Sequence, residues 1–174
     1  MANPTMTLIA SNTVGSGGVS SVTFSSIPST YTDLIIKTSL RSNVSSGYGA
    51  NAYMTFNGST SGYSDCLLYN INLGVGSANA SNAYITWASM NDSNNNTANT
   101  FGNGEIYIPN YTSSNYKSVS IDSLFEDNSG LNAYMSLDAA VWSNTSPITS
   151  ITLTSSGTTF AQYSTAYLYG IKNS

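Results

Sequence analysis

The sequence predicts an all-β chain, a single antiparallel β-sandwich of jelly-roll type with about ten short strands and one domain over residues 1–174. Three observations predict it. Apolar residues recur with a period of two rather than 3.6. Turns rich in Gly, Ser and Asn separate the alternating segments at regular intervals. No long stretch carries a helical stripe with capping residues.

Taken in order, the first strand spans Met6–Ser11, and Gly15-Ser16-Gly17-Gly18 forms a hairpin connection. Val22 and Phe24 then alternate with Ser21, Thr23 and Ser25. Thr32–Arg41 is rich in Thr and Ile, which suits a buried strand better than a helix. Strands follow at Ala52–Asn57, Cys66–Leu73 and Ala83–Met90. Ile106 and Ile108 alternate with Glu105 and Tyr107, and Val119 and Ile121 with Ser118, Ser120 and Asp122. Leu131–Trp142 shows the period most plainly, with Ala133, Met135, Leu137, Ala139 and Val141 on one face and Tyr134, Ser136, Asp138 and Ala140 on the other. The apolar set is expected to pack and the other to be wetter. Ile151 and Leu153, then Ala166–Lys172, close the series. The longest loops are expected near 43–51, 74–82 and 91–103.

Composition narrows the chemistry. Ser, Thr and Asn supply 73 of 174 residues, whereas Lys, Arg, Asp and Glu supply 12. The chain has no His, which removes Ser-His-Asp and Cys-His machinery and His-ligated metals. A lone Cys66 excludes an intrachain disulfide and multi-cysteine metal sites. Between Leu67, Leu68 and the rest of its strand, Cys66 reads as a small buried residue rather than a nucleophile. Four basic residues are too few for the electrostatic footprint of nucleic-acid binding. No apolar run approaches the ~20 residues that span a bilayer, and Met1–Met6 lacks the basic and apolar regions of a secretory signal. The expectation is a non-enzymatic module with no catalytic, cofactor or metal site, and with neither nucleic acid nor membrane as partner.

Four constellations carry a functional reading beside a blander one. Eight carboxylates offer many candidate pairs for sugar hydrolysis, and nothing marks one above another. Asp122, Glu126, Asp127 and Asn128 form the one local acidic cluster, and calcium takes oxygen ligands of this kind. Their spacing matches no EF-hand loop, and a solvated turn is the simpler reading. Asp33 stands close enough in sequence to pair with Lys37 or Arg41, a contact worth about 0–1 kcal/mol if exposed. Of the 13 Tyr residues, six sit at strand positions (Tyr53, Tyr84, Tyr107, Tyr134, Tyr167, Tyr169) and five in expected loops or loop edges (Tyr48, Tyr63, Tyr111, Tyr116, Tyr163). Tyr and Asn on loops suit recognition of glycans or proteins. With so few Lys residues the edge strands lack their usual guard, which favours a homo-oligomer or docking onto a larger assembly.

The chain also resembles a group of small virion proteins of tailed phages, frequent in marine and cyanobacterial viruses. The resemblance rests on Thr7–Ser11, on Val22–Leu34 with its Ile27-Pro28-Ser29-Thr30-Tyr31 centre, on Phe56-Asn57-Gly58, on Ile106–Tyr111 with Lys117, on Ile148–Leu153 and on Ser164–Lys172. It implies a β-sandwich on the virion exterior, made in the host cytoplasm, with no catalytic residue to carry over. Two roles fit. One is a capsid decoration or cement protein that binds the major capsid protein as an oligomer, a trimer around local symmetry axes. The other is a tail-fibre or accessory protein that contacts host glycans through its Tyr- and Asn-rich loops. No coiled coil or collagen-like repeat is present to project the chain from a tail, which favours the shell.

Overall fold

The computed structural model describes residues 5–44, 50–71, 74–90, 96–128 and 133–172, without the side chains of 87–90. Tyr48, the ring of Trp87, and residues 45–49 and 91–95 of the expected loops at 43–51 and 91–103 lie outside these residues. The described residues form twelve strands: β1 (Met6–Thr13), β2 (Ser21–Phe24), β3 (Asp33–Leu40), β4 (Ala50–Phe56), β5 (Tyr63–Ile71), β6 (Gly74–Asn82), β7 (Ile85–Met90), β8 (Gly102–Ile108), β9 (Lys117–Glu126), β10 (Ala133–Trp142), β11 (Ile151–Ser155) and β12 (Thr165–Ile171).

They assemble into two antiparallel sheets, one of eight strands in the order β1-β12-β3-β8-β9-β10-β5-β6 and one of four in the order β2-β11-β4-β7. The all-β sandwich expected from the sequence is present. Eight strands against four is not the four-plus-four arrangement of an eight-stranded jelly roll. The larger sheet is widened by the meander β8-β9-β10 and by β1 and β12 at one side. The chain passes repeatedly between layers, with β2, β4, β7 and β11 in the small sheet and the rest in the large one.

Alternation explains the core. Val22 and Phe24 of β2, Met54 and Phe56 of β4, Ile85 of β7 and Ile151 and Leu153 of β11 turn inward from the small sheet. Leu34 and Ile36 of β3, Ile106 and Ile108 of β8, Val119 and Ile121 of β9 and Leu168 of β12 meet them from the large sheet. At one end Phe56, Tyr63 and Trp142 form an aromatic knot, with centroids 5.6 Å apart for Phe56–Trp142 and 6.0 Å for the stacked Tyr63–Trp142 pair. The Tyr63 hydroxyl accepts the Phe56 N–H at 2.8 Å, so the buried ring keeps its polar end satisfied. Tyr111 is likewise fully buried. Two tyrosines expected on loop surfaces are therefore core residues, while Tyr116 and Tyr163 are exposed.

Buried charges take backbone partners. Lys117, inside the sandwich, donates from Nζ to the carbonyls of Ser113 at 2.8 Å and Asn115 at 2.6 Å. Arg41 donates from Nη1 to the carbonyls of Thr97 at 3.0 Å and Thr100 at 2.7 Å, pinning that connection to the sandwich. Asp33 is buried and accepts the Tyr107 hydroxyl and the Asn110 N–H, both at 2.9 Å, while Lys37 pairs with Glu105. The exposed Asp33–Lys37 contact is thus replaced by these partners.

Two elements depart from expectation. Residues 74–82, expected as a loop, form β6, paired in register with β5 from Ile71↔Gly74 to Tyr63↔Asn82. Gly76 permits this pairing because a Cβ there would meet the Tyr69 ring at 2.5 Å. Tyr84, expected in a strand, sits in the bend between β6 and β7 and stacks on Tyr53 at 3.9 Å.

Candidate binding face of the large sheet

A further departure concerns β10 and creates the feature of greatest interest. Cross-strand partners share a face of the sheet, so register decides which side chains stand together. Val119 pairs with Ala140, Ile121 with Asp138 and Phe125 with Tyr134. Because β9 turns Val119, Ile121 and Phe125 into the core, their partners on β10 must turn inward too, and Trp142 follows with the same parity. Met135, Leu137, Ala139 and Val141, expected to pack, are directed to the opposite face. A slip of one residue would bury Met135 and Leu137 but expel Trp142. The aromatic knot and the β9 core decide the matter.

The outward set continues onto neighbouring strands. Leu124 of β9 pairs with Met135, and Leu68 of β5 pairs with Leu137. Val75 of β6 stands on the same face, opposite Asn70. Their exposures are 45% for Leu124, 59% for Met135, 64% for Leu137, 54% for Leu68 and 75% for Val75. Together these fractions leave on the order of 500 Å² of contiguous apolar surface open, the upper end of what a typical monomer shows. Cys66 lies on this face and is exposed, so the expectation of a buried thiol is corrected.

Next to the apolar row the face is concave. A groove of about 460 Å³ runs between Leu68 and Leu137 on one side and Tyr107, Glu105 and Asp122 on the other. Glu105 and Asp122 are direct cross-strand partners, and the Asp122 carboxylate accepts the Glu105 N–H at 3.2 Å. Lys37 salt-bridges Glu105, and that bond raises the Lys37 pKa above its ordinary value. The polar wall is thus partly charge-compensated. An apolar strip beside a polar margin is the composition of a protein-binding surface.

Beneath this face, on the inner side, lies a polar pocket of the core. The Ser123 and Ser136 hydroxyls are 3.0 Å apart, and Ser136 donates to Oδ2 of Asp138 at 3.2 Å. The other carboxylate oxygen of Asp138 is buried with no partner among the described residues. Burial pushes the Asp138 carboxyl up to about 6, with the charge of Asp65 adding to the effect and the Ser136 hydroxyl opposing it. Asp65 is also buried and accepts the Thr86 N–H at 3.1 Å. An aromatic ladder of Phe125, Tyr134 and Tyr69 continues the inner face, with centroids 6.1 and 6.2 Å apart.

The acidic cluster singled out in the sequence is dispersed. Asp122 and Glu126 are both exposed on β9, four residues and thus about 13 Å apart along an extended strand. Asp127 turns inward and is fully buried, and Glu126 accepts the Asn128 N–H at 2.7 Å. Among the described residues no three His, Cys, Asp or Glu side chains gather as metal ligands, and no helix is long and apolar enough to cross a membrane.

Comparison with known protein families and with curated proteins finds no match to this chain.

Proposed function

We propose that this protein is a non-enzymatic structural component of a phage virion exterior, a decoration protein that docks the outer face of its large sheet onto the capsid shell and stabilises it. The observation that carries the docking part is the outward apolar row of Leu68, Val75, Leu124, Met135 and Leu137. Burying on the order of 500 Å² of such surface contributes about 12 kcal/mol gross. Association costs of roughly 4–15 kcal/mol oppose it, so the patch needs the polar margin around it to hold a partner. The virion part rests on the sequence resemblance. A surface with few charges also suits a shell exposed to changing salt, because its contacts are screened little.

A second reading has its own observation. The groove beside Tyr107 is of ligand-site size, and it offers hydroxyl, carboxylate and apolar walls to a sugar. On this reading the protein is a tail-fibre or accessory protein contacting host glycans, with the contact moved from the loops to the sheet.

Gold-labelled antibody against the protein, applied to intact virions, separates the two. Label spread over the head supports decoration. Label confined to the tail supports glycan contact, which an array of host polysaccharides then checks. Virions carrying no label would refute both.

A further inference from the structure

We propose that β6 is a self-pairing edge, along which two copies of this chain join antiparallel about a two-fold axis and fuse their large sheets into one. The proposal concerns the isolated chain and stands whether or not the protein decorates a capsid.

Each sheet has two free edges among the described strands, β1 and β6 in the large sheet and β2 and β7 in the small one. Free edges expose unpaired N–H and C=O groups, and proteins blunt them by bulges, shortness, proline or charge. Three of the four edges here are blunted. The pairing of β1 shifts register between Leu8 and Ala10. The strand β2 is four residues long. The pairing of β7 with β4 is irregular between Asn51 and Ala52.

The fourth edge carries none of these devices. Strand β6 is nine residues long, Gly-Val-Gly-Ser-Ala-Asn-Ala-Ser-Asn, without charge or proline. Its nine pairs with β5 run without a register shift. About half of its backbone groups point away from β5, as in any edge strand. Its Gly, Ala and Asn content is poor for strands, so a neighbour on one side alone supports it weakly.

The occupant that fits is a second copy. Antiparallel pairing of a strand with itself is isologous, so one two-fold axis satisfies both chains and closes the assembly. Self-pairing sets each residue against its own counterparts, and like charges facing one another are what normally forbid it. A strand without charge meets no such penalty in any register. Pairing also places the partner's strand beside Val75, whose 75% exposure is the largest on the apolar face. The outcome is a dimer, in place of the trimer expected from the sequence.

Light scattering on the purified full chain, over a wide range of concentration, tests this. The expected species has twice the 18.3 kDa chain mass. The double variant Ser77→Lys/Asn79→Lys, both positions exposed on β6, is expected to be folded and monomeric, with a melting temperature that no longer rises with concentration as the wild type's does. A wild type that is monomeric throughout, a trimer, or a double variant that still dimerises would overturn the proposal. If the double variant does not fold, hydrogen exchange of the wild type decides. Amides of β6 that are protected at high concentration and exchange freely on dilution support the pairing, and exchange independent of concentration refutes it.

Discussion

Replacing Asp138 by Asn tests the account of the buried polar pocket. The carboxyl titrates at about 6 in the folded chain against 3.8 ordinarily. A group whose folded pKa lies above its unfolded value favours folding while protonated. Its contribution is complete below pH ~4, declines as pH rises through about 6, and is absent above that. At ~1.4 kcal/mol per tenfold, the displacement corresponds to about 3 kcal/mol lost between pH ~4 and ~7. In a chain of this size, about 3 kcal/mol corresponds to roughly 6–12 °C in melting temperature. Asn fills the same volume and never ionises. The Asp138→Asn protein is therefore expected to melt higher than wild type at pH 7–8, with the advantage vanishing near pH 4. Calorimetric melts of both proteins across that range measure the difference, in which titrations of the other carboxylates cancel. A variant that shows the wild-type pH slope, or that melts lower at pH 8, would refute the assignment of a destabilising buried carboxylate.

Other predictions follow from the packing. Trp142→Ala removes the centre of the aromatic knot and is expected to cost about 3–5 kcal/mol, visible as a lower denaturant midpoint; an unchanged midpoint would mean the ring is not core. Leu137→Lys, at a position 64% exposed, is expected to change stability by less than about 0.5 kcal/mol and, on the proposed decoration role, to abolish capsid binding in a co-sedimentation assay. Lys37→Ala breaks the exposed pair with Glu105 and is expected to alter stability by at most about 1 kcal/mol, less at high salt. Lys117→Met leaves the Ser113 and Asn115 carbonyls without their buried donor, with an expected loss of about 1–3 kcal/mol by chemical denaturation.

Much of the architecture was legible because alternation is a local property. Val22 and Phe24, Ile106 and Ile108, Val119 and Ile121, and Ile151 and Leu153 all point inward as their spacing predicts. Two signals misled. In β6 the Gly-Ser-Ala-Asn composition reads as a loop, and only pairing with β5, with room for the Tyr69 ring over Gly76, makes it a strand. In β10 the more apolar face is the outer one. A clue was present in the parity of Tyr134 and Trp142, whose large rings lie on the face that also carries Ser136 and Asp138. Tyr63 and Tyr111 border turn sequences yet are buried, because each ring packs in the core while backbone satisfies its hydroxyl, the Phe56 N–H for Tyr63 and the Pro28 carbonyl for Tyr111.

The sequence by itself determined the all-β class, the positions of most strands and the absence of histidine chemistry, since these depend on residue type and on the period of two along the chain. The tertiary structure alone decided which face of β10 meets solvent, how Asp122, Glu126 and Asp127 separate, and that β6 becomes the unguarded edge of an eight-stranded sheet. The reason is physical. A period of two defines two faces but does not say which one is buried. That choice is made by the register of neighbouring strands distant in sequence, where the burial of Trp142, Val119, Ile121 and Phe125 outweighs the exposure of Met135 and Leu137.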